Sequence, residues 1–120
     1  MNLKQIRDMD NDICYCRAQI AMLEAKVTHI TTNIASAIDG ESASNSIEKI
    51  VPKIADLREE LHNAETKKAN AISSIPPTTL QGSCLLLRLK YGYEWKQIAQ
   101  KVGGGNTEDG IRVMCNRYEW

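Results

Sequence analysis

Residues Tyr91 to Tyr118 read YGYEWKQIAQKVGGGNTEDGIRVMCNRY. Within this stretch Trp95, Ile98, Ala99 and Val102 recur at i, i+3, i+4 and i+7. One face of a helix is therefore apolar, and Lys96, Gln97, Gln100 and Lys101 point away from it. Gly103, Gly104 and Gly105 stop that helix, and Asn106 or Thr107 caps the next. The second helix turns Ile111, Met114, Cys115 and Tyr118 inward. Arg112 and Asn116 share its outer face, with Arg117 nearby. Two short amphipathic helices joined by a glycine turn have the layout of a helix-turn-helix.

Working upstream, Pro76-Pro77 turns the chain back, and Thr78 or Thr79 caps a helix carrying Leu80 and Leu85 to Leu89. The run Leu85-Leu86-Leu87 is wider than one helical face requires, so this helix is expected to be buried on two sides. Farther upstream the pattern becomes a zipper. Ile6, Met9, Ile13, Cys16, Ile20, Leu23, Val27, Ile30, Ile34 and Ala37 alternate spacings of three and four, which is a heptad seam. A second seam runs through Ile47, Ile50, Ile54, Leu57, Leu61, Ala64, Lys68, Ala71 and Ile75. Asp39 to Asn45 is polar and contains Gly40, so it reads as the turn between them. Pro52 requires either that the second helix start near it or that the helix kink there. The expected fold class is all-α: a long antiparallel helical hairpin, a coiled coil, over 1–75, followed by a small helix-turn-helix module over 76–120.

The hairpin register can be read from the two seams. Facing Leu23 with Leu61, Val27 with Leu57, Ile30 with Ile54 and Ile34 with Ile50 sets large side chains against large ones. The same alignment brings Glu24 to Arg58, Arg17 to Glu65 and Lys26 to Glu60, three pairs of opposite sign. Beyond them Ile20 meets Ala64, Cys16 meets Lys68 and Ile13 meets Ala71. Small side chains facing large ones leave an apolar groove, and an open groove is an exposed patch rather than a core. Its fillers are the C-terminal helices of the same chain or a second copy. A homo-oligomer is accordingly expected, joined through the alanine-lined section or through Leu85 to Leu89.

Lysine plus arginine and aspartate plus glutamate balance at 15 each in the 120 residues. No net field draws the chain to nucleic acid or to a membrane. The residues after position 75 hold 6 basic and 4 acidic side chains, only faintly basic for a nucleic-acid binder. Cys14, Cys16, Cys84 and Cys115 follow no signal peptide, and Cys14-x-Cys16 has neither zinc-knuckle nor redox spacing, so they read as buried free thiols. No apolar run is long enough to span a bilayer, which makes a soluble protein of the bacterial cytoplasm the expectation, with no membrane partner. Glu59-x-x-His62 has the spacing of a di-iron ligand pair. With Leu57 and Leu61 in the seam, however, both side chains fall on the outer face, and no metal or other cofactor is assigned. No serine, cysteine or histidine sits in a nucleophile motif, and an enzyme is not expected.

The pattern Ile98-Ala99, Val102-Gly103 and Ile111-Arg112, with Trp95 ahead of it, Leu85 to Tyr91 before that and the run Gly103 to Thr107 inside it, resembles the C-terminal module of small phage and prophage proteins related to sigma-factor region four. The likeness covers roughly the last third of the chain. It implies a transcription regulator that binds duplex DNA, RNA polymerase or both. Lys96, Gln97, Gln100 and Lys101 would then hold the backbone, while Arg112, Asn116 and Arg117 reach the groove. Two departures stand out: the turn is longer than the family's, and Glu108 and Asp109 occupy the first turn of the presumed recognition helix. Carboxylates there suit the helix dipole but face any approaching phosphate. They favour the alternative of an oligomeric counter-defence protein that does not bind DNA and either inhibits a host defence protein or sequesters a nucleotide signal. In that case the backbone amides of Gly103 to Gly105, with Asn106, Thr107 and the arginines downstream, would enclose a phosphate.

Overall fold

The computed structural model describes the backbone of residues 1–34 and 40–120 and the side chains of 1–29 and 47–120. The fold is all-α. Five helices follow one another: α1 (Leu3–Ile34), α2 (Gly40–Ser73), α3 (Leu80–Leu89), α4 (Trp95–Val102) and α5 (Glu108–Arg117). Two compact units are built from them, one of Met1–Asp10 with Lys67–Trp120 and the other of Asn11–Thr66.

In the second unit α1 and α2 run antiparallel, with Ile13, Cys16, Ile20 and Ile54 buried between them. Arg17 donates to Glu65 at 2.7 Å and Arg58 donates to Glu24. These are two of the three cross-helix pairs expected from the sequence. Lys26–Glu60 is not among the ion pairs of the described residues. The contacts of Cys16 are displaced along the seam from the expected ones. Leu23 shares a groove with Leu57, and Val27 shares another with Ile54. The Cys16 thiol sits 3.9 Å from both the Leu57 carbonyl and a Glu60 carboxylate oxygen, rather than against Lys68. The physical reason lies at Lys68. The expected register set its ammonium in a core layer beside a thiol, whereas the observed one pairs it with Asp10, and a buried unpaired charge is costly. Arginine side chains are long enough to keep their partners through such a slide.

Helix α2 begins at Gly40, so Gly40 to Asn45 belong to it rather than to a turn, and it runs through Pro52, which has no N–H to offer the preceding turn. The side chains of Ile30 and Ile34, which the expected layers need, and the turn residue Asp39 lie outside the described residues. Glu59 and His62 are exposed on α2. Of the four cysteines, Cys14 is exposed, against expectation, and the other three are buried; all four are free. Among the described residues no helix is long and apolar enough to cross a membrane.

The first unit has one core. Leu3 of α1 and Ile75 after α2 join Cys84 and Leu85 of α3, Trp95, Ile98 and Ala99 of α4, and Ile111 and Cys115 of α5. The triple leucine is accounted for within the chain: Leu85 is fully buried, and Leu86, Leu87 and Leu89 are half-buried against the same core. Ala71, expected to line an open groove, is buried, and its carbonyl accepts hydrogen bonds from the Trp120 indole (3.0 Å) and the Ser74 hydroxyl (2.7 Å). Both donors satisfy a carbonyl in the last turn of α2, where the helix itself supplies none. The segment after α5 then pairs with the segment before α1. Asn2 and Glu119 form an antiparallel bridge, and the Trp120 N–H donates to the Met1 carbonyl at 2.8 Å.

Candidate nucleic-acid interface

Each helix of the α3–α4–α5 module is started by a side chain that takes the place of the missing turn. Thr79 Oγ1 accepts from the Gly82 N–H at 3.0 Å, and Thr107 Oγ1 accepts from the Gly110 N–H at 3.1 Å. At α4, Glu94 and Gln97 form a reciprocal capping box, with the Glu94 N–H donating to Gln97 Oε1 at 3.0 Å. Between α4 and α5 the backbone passes through three successive positive φ angles, 63°, 66° and 78° at Gly103, Gly104 and Gly105. Only glycine adopts such a run at little cost. Asn106 then locks the turn, its side-chain amide and its backbone N–H both donating to the Gly103 carbonyl, at 2.8 and 3.2 Å.

The two anchors of α5, Ile111 and Cys115, are almost wholly buried. They fix the helix so that Arg112 and Asn116, one turn apart, stand exposed on its outer face with Val113 beside them. Arg117 lies toward α3, in a shallow groove shared with Gln81, Val113, Met114 and Tyr118. Arg112 is not wholly unengaged, because its guanidinium donates to Asp109 at 3.0 Å along the same helix. On α4, Lys96, Gln97, Gln100 and Lys101 are exposed, and the last three line a shallow groove with Tyr93. The Lys101 ammonium stands 5.0 Å from the centre of the Tyr93 ring, within cation–π range. Of the residues singled out from the sequence, Lys96 and Gln100 on α4 and Arg112, Asn116 and Arg117 on α5 thus present polar ends outward. Gln97, Asn106 and Thr107 use theirs in caps and in the turn.

Arg88 was not foreseen. Its guanidinium lies 5.1 Å from the centre of the Trp95 ring and donates to the Tyr93 carbonyl at 3.1 Å, tying α3 to the start of α4. A basic residue in the last turn of a helix is the only signal the sequence offers for it. Behind α5, the Cys115 thiol packs against Cys84. Burial, then the neighbouring Cys84 sulfur, push Cys115 up to about 12, and burial also raises Cys84. Both thiols are neutral packing groups at physiological pH.

Comparisons with protein families, with curated proteins and with solved structures each give no match.

Proposed function

We propose that this chain is a phage or prophage regulatory protein whose helix-turn-helix, α4 and α5, meets duplex DNA, RNA polymerase or both. One observation carries the reading: burial of Ile111 and Cys115 presents Arg112 and Asn116 side by side on the outer face of α5. Arginine reads guanine and asparagine reads adenine through paired hydrogen bonds in the major groove, each worth about 1–3 kcal/mol of discrimination. Lys96 and Gln100 on α4 suit the phosphate backbone, which a first helix of this motif crosses. The resemblance to phage region-four-like regulators agrees with this division of labour. Selection from a pool of randomised duplexes with the full chain tests the proposal. Enrichment of a common site that Arg112→Ala and Asn116→Ala both relax supports it, and a pool left unsorted by folded protein at low salt counts against direct DNA reading.

A second reading is favoured by the pair formed between Asp109 and Arg112, beside an exposed Glu108. Two carboxylates at this end of α5 would repel phosphate and suit a basic surface on a protein. In that reading the same face of α5 engages a host defence protein. Sequestration of a nucleotide is the less supported form, since the Asn106 and Thr107 side chains are already spent within the turn.

A further inference from the structure

The unit Asn11–Thr66 carries an apolar stripe that its own two helices leave uncovered. Tyr15 and Met22 are 67% and 61% exposed, among the most exposed large hydrophobic side chains described. They lie at i and i+7 on α1 with Gln19 between them, whose amide donates to the Tyr15 hydroxyl at 3.0 Å. Spacings of four and three place all three on one line along the helix. Beside that line Gln19, Met22 and Leu23 of α1 face Lys53, Asp56 and Leu57 of α2 across a groove. Leu23 and Leu57 are each only half-buried at its floor. A two-helix hairpin can cover each helix on one side only, so the rest of the apolar surface needs another body.

Charge at the rim of the groove says which body. Lys53 and Asp56 stand three residues apart on α2, and neither takes part in the ion pairs that tie α2 to α1. A motif of one cation and one anion on a single helix is complementary to itself when the second helix runs antiparallel about a two-fold axis. We propose that a second copy of this chain docks on this face. Met22, Leu23 and Leu57 pack against the same groove of the partner in a four-helix bundle, and each Lys53 pairs with Asp56 of the partner subunit. This places self-association on the unit Asn11–Thr66 rather than on Ala71 or the leucines of α3. Docking on this face does not depend on what α5 binds.

Sedimentation equilibrium of the full chain over a wide concentration range tests it. The wild type is expected to be a dimer. Lys53→Asp sets Asp against Asp twice per dimer and should weaken association by about tenfold, a change of about 1.4 kcal/mol. The double exchange Lys53→Asp with Asp56→Lys should restore it, and Glu59→Lys, an equal change of charge at an exposed position outside the groove, should leave it intact. All these positions are on the surface, so helicity by circular dichroism should be unchanged throughout. Met22→Glu should give a monomer. A wild type that is monomeric at every concentration overturns the proposal, as does a double exchange no tighter than Lys53→Asp alone. Should Met22→Glu lose helicity, the charge-exchange series decides by itself.

Discussion

Gly82 lies in the first turn of α3, where replacing glycine by alanine ordinarily stabilises a helix by about 0.8–1.0 kcal/mol. Here the opposite is expected. A Cβ at this position would fall on the carbonyl oxygen of Pro76, far inside van der Waals contact, and 2.8 Å from Thr79 Oγ1. The obstacle is backbone and cannot rotate away, so α3 must move off the Pro76-Pro77 turn. That movement breaks the 3.0 Å bond from the Gly82 N–H to Thr79 Oγ1, a cap worth about 1 kcal/mol. It also disturbs the packing of Leu85, with an overpacking cost of about 1–3 kcal/mol. Set against the propensity gain, Gly82→Ala should destabilise the protein by about 2 kcal/mol. Gly110→Ala is the internal comparison. Its Cβ would approach only the Thr107 hydroxyl, at 3.0 Å, so crowding and propensity should nearly cancel. Urea denaturation of the two variants followed by circular dichroism makes the comparison. A Gly82→Ala protein as stable as the wild type, or more so, would refute the close approach of α3 to Pro76.

Other consequences follow from burial and charge. Ile98→Ala empties a fully buried position between α4 and the rest of the core and should cost about 2–5 kcal/mol by denaturant midpoint; a loss below 1 kcal/mol would mean that α4 is not anchored as described. The pair of Glu24 and Arg58 is exposed on both sides, so a double-mutant cycle should return a coupling of about 0.2–1 kcal/mol. Cys115 is raised to about 12 by burial and by Cys84. Its contribution to stability is complete below the unfolded thiol's range and falls as pH rises toward 12, by at most about 1.4 kcal/mol per pH unit. Cys115→Ala should flatten that alkaline slope in chemical denaturation, and an unchanged slope would contradict the buried thiol pair. A thiol reagent applied to native protein should label Cys14 quickly and the three buried cysteines only after unfolding; rapid labelling of Cys115 would show α5 to be loosely held.

How much of this could be read in advance depended on the kind of signal. The inward faces of α4 and α5 were legible, since Trp95, Ile98 and Ala99, then Ile111 and Cys115, recur with helical period and leave few alternatives. The glycine turn was legible because three successive glycines can hardly lie inside a helix, although choosing between Asn106 and Thr107 as the cap required coordinates. In the hairpin the cross-helix pairs Arg17–Glu65 and Arg58–Glu24 were legible, but long arginines keep their partners through a small slide, so the pairs did not select the register. A seam of alternating threes and fours matches its partner again after sliding one step, so the apolar layers alone could not separate Leu23 over Leu61 from Leu23 beside Leu57. Asp10, which draws Lys68 out of the core, lies on no seam. Trp120 and Arg88 went unread for a related reason: their roles come from contacts across turns, with Ala71 and with Trp95 and Tyr93, and periodicity within one helix carries no trace of those. Gly82 was readable in principle, because a glycine inside a helical pattern marks close approach of another backbone. The outward side chains of α5 were identified by type and face, yet nothing in their spacing announced that Asp109 would hold Arg112.

The central claim is that the outer face of α4 and α5 meets duplex DNA. Its most direct test is fluorescence anisotropy of a labelled duplex, enriched by selection, titrated with the full chain at a series of salt concentrations. Binding should weaken linearly in logarithmic salt. Lys96→Ala should reduce the slope by about one and affect all sequences alike, whereas Arg112→Ala should cost about 1–3 kcal/mol and relax the preference at one base pair. No anisotropy change at low salt with folded protein, or a response indifferent to Arg112 and Asn116, would contradict the claim.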